Sequence, residues 1–492
     1  MLSRQESKPR GGKAKLEDVI NILNELKTDL TAKKLTEKRR RNLLEQLKVH
    51  GRAIEDADPI FTKDGLHTLC QYAFEDADVY TSQEALRCIA NALLLAPEMR
   101  QVVVDLGYAP KAADRLKESS CTKSRVIPNC AQNENVDDEF LCSRILFLMT
   151  YDTNVDFDNL VAHNQLAEHI NEAMTRHSKR YSKHTRRASQ MHASPMDLMA
   201  LSETLKLMFN ITHFYPDLAE HFSKSIPHIF KILTRRKIPS PPLQAPVNYL
   251  INALLNLDLE DKKGQQLKFL GMNAVFPKFD QKCNAEYLID ILDNAIVAYS
   301  EKELDNTIAP VLTLIRRIYE IAPESVQKYM EWLLLPTDEE RSRPLGQSDT
   351  LSARLLRLST SAMTPSLRSS ISAMMFELSG KDASKFVQNV GYGFASGFLL
   401  SNNIQMPESA IEASATADPD RAIPVNPITG QRLDAEEPST EEPMTEEEKE
   451  REAERLFVLF ERLKATGVVD VKNPVEEAFR SGRIEELPDD AE

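Results

Sequence analysis

Two stretches, LSETLKLMFNIT at residues 201–212 and PVNYLINALLNLDLE at residues 246–260, decide the architecture. Each is an apolar run at helical spacing that carries a polar pair four residues apart, Lys206 with Asn210 and Asn252 with Asn256. Positions i and i+4 share one face of a helix, so each pair predicts a polar stripe on an otherwise apolar rod. Asparagine costs about 0.7 kcal/mol against alanine inside a helix. Its recurrence there points to a use for an amide that both donates and accepts hydrogen bonds.

The pattern repeats outward from this centre. RRRNLLEQLKVHGRAIED (39–56) places Lys48 and Arg52 four apart, and TSQEALRCIANALLLAPEMRQ (81–101) does the same with Arg87 and Asn91, with Ser82 as the expected cap. Short amphipathic helices continue through FLCSRILFLMTYD, TIAPVLTLIRRIYEIAPE and TPSLRSSISAMMFELSG, and no run alternates strictly enough to read as a strand. Asn210 and Asn252 lie 42 residues apart, inside the roughly 40–47 residue period of armadillo and HEAT repeats. The expected fold is therefore all-α, an armadillo/HEAT-like right-handed solenoid over residues 15–402 whose concave face carries the pairs. Arg316, with Arg317, would extend that face. A groove with cations at one end and amides along it suits a peptide or helix that ends in a carboxylate. Such pairs also serve simply to satisfy buried neighbours in stacked helices.

Composition narrows the function. The net charge is −14 over 492 residues, which argues against a general nucleic-acid partner. Cys70, Cys88, Cys121, Cys130, Cys142 and Cys283 form no C-x-x-C pair, and no apolar run is long enough to span a membrane, so a cytoplasmic chain with free thiols is expected. No metal-binding, phosphate-loop or nucleophile motif occurs, and neither a cofactor nor a catalytic site is expected.

Residues 1–14 read as a disordered, basic start, and CTKSRVIPNCAQNENVDDE (121–139) as a turn-rich connection. A basic loop insertion is expected near 176–195; residues 176–187 hold six Lys/Arg and two His. A flexible acidic linker follows at 403–443, then an amphipathic helix at 444–466 and a tail at 467–492. Thr445 with Glu448 forms a capping box for that helix, and Leu456, Phe457 and Phe460 lie on its apolar face.

The blocks LRCIANALLL (86–95), LKLMFNITHF (205–214), LINALLNLDLE (250–260) with FLGMNAVF (269–276), IAPVLTLIRRI (308–318), LSARLLRLST (351–360), FVQNVGYGFASGFLL (386–400), VNPITGQ (425–431) and MTEEEKEREAERLFVLFERL (444–463) occur in an order that resembles the synembryn family, in a fungal-type member. The resemblance implies a cytoplasmic guanine-nucleotide exchange factor and folding chaperone for heterotrimeric G-protein α subunits, recruited at times to the plasma membrane. It implies that the solenoid holds the C-terminal helix of the α subunit in a 1:1 complex. Lys48 and Arg52 look like the family's basic pair and Asn91 like its groove asparagine, while residues 444–463 look like its C-terminal helix. PESAIEASATADPDR (407–421) departs from the acidic Ser/Thr run of animal members, which leaves Ser439 and Thr445 as the expected phosphorylation positions. An armadillo-type transport adaptor, or a scaffold without exchange activity, is the competing reading.

Overall fold

The computed structural model describes residues 12–75, 78–120, 131–181, 193–260, 274–405, 414–415, 424–436 and 445–465. From the N-terminus it runs through α1 (Lys13–Ala32), α2 (Glu37–His50), α3 (Lys63–Glu75), α4 (Val79–Leu95) and α5 (Glu98–Asp105). Next come α6 (Ala109–Ser120), α7 (Ala131–Met149), α8 (Phe157–Ala162), α9 (Leu166–Lys179), α10 (Pro195–Phe214), α11 (Ile226–Thr234) and α12 (Val247–Asn256). The last part holds α13 (Cys283–Ala298), α14 (Glu301–Thr307), α15 (Ala309–Ile321), α16 (Glu324–Leu334), α17 (Leu351–Leu358), α18 (Pro365–Leu378), α19 (Ala383–Val390) and α20 (Tyr392–Ser401). Residues up to Asp434 make one compact unit; α21 (Glu446–Ala465) belongs to a second.

Local chemistry sets the helix ends. Ser194 and Asp197 bond reciprocally in a capping box with Pro195 at the first helical position of α10, and Ser300 with Glu303 does the same for α14. The cap of α4 is Asp78, which accepts from the Thr81 amide at 2.9 Å; Ser82, the expected cap, is buried within the helix and donates to the Ala73 carbonyl.

Seven helices, α2, α4, α7, α10, α12, α15 and α18, contact one another in that succession and form one row. A second row packs against it, in which α1 meets α3, and α6, α9, α11, α13 and α16 follow one another. Between the rows lies one continuous apolar core from Val19 to Leu399. Each fully buried leucine in it, such as Leu44, Leu205 or Leu312, contributes about 1.5–3 kcal/mol against exposure. The fold is thus all-α, as stacked amphipathic helices require. Among the described residues, the strand pairing is a two-residue antiparallel match of Ser414–Ala415 with Pro424–Val425.

The structure moves several expected boundaries. α1 begins at Lys13, inside the stretch expected to be disordered, and α7 begins at Ala131, inside the expected turn-rich connection. Gly51 ends α2 at His50, so Arg52 sits in the turn beyond and not one helical turn above Lys48. The expected basic loop begins later than residue 176. α9 continues through Lys179 and α10 starts at Pro195, because Arg176 pairs with buried Glu139 and Arg180 with Asp197 at 2.6 Å. Finally, residues 424–434, assigned from sequence to a flexible linker, fold back onto the end of the helical stack.

Candidate functional site: the polar face of the first row

Every helix-borne pair singled out from sequence falls on the first row: Lys48 on α2, Arg87 and Asn91 on α4, Lys206 and Asn210 on α10, Asn252 and Asn256 on α12, Arg316 on α15. Their surroundings differ from a simple cationic groove. Glu84 on α4 accepts from Lys48 at 2.6 Å and from Arg87 at 3.0 Å, and Arg87 reaches on to Asp137 of α7 at 2.6 Å. One seam farther, Glu203 accepts from Arg144 at 3.2 Å and Lys206 at 2.7 Å. The Lys206 ammonium also lies 5.4 Å from the Phe147 ring and 5.3 Å from the Tyr249 ring. Arg316 grips Glu377 of α18 with Nε at 2.8 Å and Nη2 at 2.5 Å. Cations and acids thus alternate along the row; the half-exposed pairs of Glu84 and Glu377 each contribute about 0–1 kcal/mol to stability, whereas Glu203 is buried.

Three groups remain uncommitted. Arg52 is exposed and its guanidinium has no acid partner among the described residues. Asn91 and Asn252 are half-buried, and their amides make no hydrogen bond among the described residues. The other two asparagines serve the stack. Asn210 is buried and donates to Thr150 Oγ1 at 2.7 Å, and Asn256 donates to the Phe209 carbonyl at the end of α10 at 3.1 Å. Arg317 is likewise structural, because it donates to the carbonyls of Leu254, Leu255 and Leu257 at the C-terminus of α12.

Sequence reasoning missed two features of this face. Asp137 and Glu377 come from neighbouring helices, so no spacing within one helix announces them, whereas Glu84 and Glu203 stand three residues before Arg87 and Lys206 on the same helices, a spacing the sequence does show. The second is an aromatic cluster at the ends of α7 and α10. Phe147 meets Tyr151 edge-on at 5.4 Å, Tyr151 meets Phe214 at 6.3 Å, and Phe209 stacks on His213 at 5.8 Å. Tyr151, Phe214 and Leu94 stay 37 %, 49 % and 46 % exposed, so apolar surface is offered along the same succession of helices. The spacing of Phe147 with Tyr151, and of Phe209 with His213, was the available signal.

Beneath the row sits a polar hub. Glu139 is fully buried, accepts from Thr204 Oγ1 at 2.9 Å, pairs with His177 Nε2 at 2.9 Å, and is bonded by Arg176. Burial raises its pKa, but His177 and Arg176 together hold it well below the usual carboxylate range. The free thiols Cys70 and Cys88 are pushed up to about 12 by burial, which leaves them unreactive at neutral pH. Among the described residues no group of three or more His, Cys, Asp or Glu could hold a metal ion, and no helix is long and apolar enough to cross a membrane.

In the second unit, Thr445 and Glu448 form the reciprocal capping box, with bonds of 3.0 and 3.3 Å. Leu456, Phe457, Val458 and Leu459 are 46 %, 38 %, 48 % and 51 % exposed. The Phe460 side chain, Ser439 and the expected tail lie outside the described residues.

The chain resembles known proteins along nearly its whole length. The model of a family described as guanine nucleotide exchange factor synembryn matches residues 43–483. The chaperone Ric-8A of Xenopus tropicalis is 25 % identical over 490 residues, covering 91 % of this chain and 85 % of that protein. A synembryn-like chaperone of Schizosaccharomyces pombe is 24 % identical over 429 residues, covering 82 % and 76 %. A row of helices with an open polar and aromatic face, a separate capped helix beyond it and a family match that spans both lead to one conclusion: this chain belongs to the synembryn family of guanine nucleotide exchange factors.

Proposed function

We propose that this chain is an exchange factor and folding chaperone for heterotrimeric G-protein α subunits, and that it takes their C-terminal helix along the polar face of the first row. The observation that carries this reading is the set of uncommitted groups on that face. Arg52 offers a cation to a terminal carboxylate, and Asn91 and Asn252 offer amides to backbone groups. Tyr151, Phe214 and Leu94 offer apolar surface to the helix's large side chains.

No covalent bond changes in such a process. Exchange follows if the chain binds the nucleotide-free α subunit more tightly than the GDP-bound one; turning a 1:99 population into 99:1 takes a differential of about 5.5 kcal/mol. Holding an open or partly folded α subunit stabilises it by mass action, which is chaperoning by the same contact. A helix engaged at its carboxylate end must part from the body of its own protein, and that loosens the nucleotide pocket. The half-exposed ion pairs suit this task, since an incoming carboxylate competes with Glu84 at a cost of about 1 kcal/mol. The apolar residues Leu456, Phe457 and Phe460 on α21 give a second contact to the same α subunit, and the complex is 1:1 and cytoplasmic. Thr445, at the N-cap of α21, would carry a phosphate where a helix terminus favours one.

The test is release of labelled GDP from a purified G-protein α subunit with and without the full chain. Acceleration is expected. No acceleration with any α subunit from the same source removes the exchange reading.

A further inference from the structure

The segment from Val425 to Arg432 forms a turn that starts at the Val425–Ser414 strand pairing. Asn426 Oδ1 accepts from the amides of Ile428 at 2.9 Å and Thr429 at 3.3 Å. The Gly430 amide donates back to the Asn426 carbonyl at 2.8 Å, with Gly430 at φ 68°. Its outer carbonyls are spent on the end of the helical stack. Pro427 and Ile428 accept from the amides of Tyr392 at 2.7 Å and Gly393 at 3.1 Å, the first two residues of α20. The first amides of a helix have no partner within it, and the N-cap of α20, Gly391, has no side chain to supply one. The turn fills that gap from more than thirty residues along the chain.

Two further contacts fasten it. Arg341, 4 % exposed, donates Nη1 to the Gly430 carbonyl at 3.0 Å and Nη2 to the Asn389 carbonyl in the last turn of α19 at 2.8 Å. Leu345 donates its amide to the Thr429 carbonyl at 3.0 Å, and Arg432 donates its amide to the Arg341 carbonyl at 2.8 Å. The approach is close enough that a Cβ on Gly430 would collide with the Leu345 side chain.

α20 has ten residues, two of them glycines, Gly393 and Gly397, each costing about 1 kcal/mol against alanine. Its packing rests on Ala395 and Leu399, both buried, and on Phe398 against Phe376 and Phe386 at 5.5 and 5.9 Å. The turn itself buries Val425 but leaves Ile428 63 % exposed. An element held mainly by hydrogen bonds opens well below the free energy of global unfolding.

We propose that residues 425–432 are a detachable strap that completes the N-terminus of α20, so that the order of the last helical layer is set by a segment on the C-terminal tether. With the strap in place α20 is capped and Gly391 is pinned. With it released, two helix amides and Arg341 Nη1 lose their partners and α20 pivots at Gly391. The strap therefore couples whatever acts on the tether to the end of the helical stack.

Hydrogen exchange followed by mass spectrometry on the full chain tests this. Gly430→Val and Arg341→Met are expected to speed exchange of the α20 amides at least tenfold and leave those of α10 unchanged. Ile428→Ser, at an exposed position, is expected to leave α20 within twofold of wild type. Where Arg341→Met also speeds α10, Asn426→Ala, which removes the bonds that Oδ1 accepts from the Ile428 and Thr429 amides, decides by the same criterion with a several-fold effect expected. Strap amides that exchange quickly in these variants while α20 stays within twofold of wild type would overturn the proposal. No G protein enters the experiment, so its failure leaves the exchange reading standing.

Discussion

Adjacent residues on α15 divide the molecule's cations into two kinds. Arg316 pairs with a carboxylate on the next helix of the row, as do Lys48 and Arg87 earlier in it, while Lys206 pairs with Glu203 on its own helix. Arg317 turns back to the backbone carbonyls that end α12, and Arg341 does the same for α19 and the strap. The first kind is half-exposed and can trade partners with an incoming acid. The second kind fills acceptors that nothing else reaches and cannot leave without cost. A basic residue on a helix face is therefore a binding group or a rivet according to which acceptor lies across the seam.

The sharpest way to break this contrast is to remove an acid that has no access to solvent. Glu139→Ala leaves Arg176 and His177 facing a buried gap, and a loss of about 3–5 kcal/mol in urea unfolding is expected. A loss under about 1 kcal/mol would mean that buried and exposed pairs in this chain are equivalent. Next in size, Arg317→Met should cost about 1–3 kcal/mol by stranding carbonyls at the end of α12. The neighbouring Arg316→Met should cost under about 1 kcal/mol. Equal losses at the two positions would erase the distinction drawn on α15.

On the binding side, Lys48→Glu with Arg52→Glu is expected to lower affinity for a G-protein α subunit at least tenfold, about 1.4 kcal/mol, with circular dichroism unchanged. Unaltered affinity would place the cationic contact elsewhere. The smallest effect concerns pH. His228 is half-buried between Thr175 Oγ1 at 3.0 Å and Ser178 Oγ at 2.8 Å, and that partial burial lowers its pKa. The unfolded chain therefore takes up this proton first, so the stability His228 contributes is complete above about pH 6.5 and is lost as pH falls toward the folded value. Urea midpoints at pH 7.5 and 5.5 should differ more for wild type than for His228→Gln. Glu139 has the other window, since a carboxylate held low keeps its contribution until pH falls below about 4.5.

Much of the helical stack was legible in the chain, because 3.6-residue apolar spacing and local caps are short-range signals. What escaped were contacts set by distant partners. Lys48 finds Glu84 36 residues away, Asn210 finds Thr150 at 60, and Arg341 finds Gly430 at 89. The sequence around Gly51 looked like unbroken helix, yet the glycine ends α2 and shifts Arg52 into a turn. VNPITGQ reads from sequence as part of a flexible linker, and nothing in those residues says that its carbonyls cap a helix begun at Tyr392.

The measurement closest to the central claim is the dissociation constant of a fluorescent peptide that carries the last residues of a G-protein α chain. It is titrated against the full-length protein and against a variant carrying Asn91→Ala and Asn252→Ala. Binding at least tenfold weaker, with an unchanged urea midpoint, is the predicted result. Equal affinity in the two proteins would contradict the assignment of the first row's open face to the C-terminal helix of the G-protein α chain.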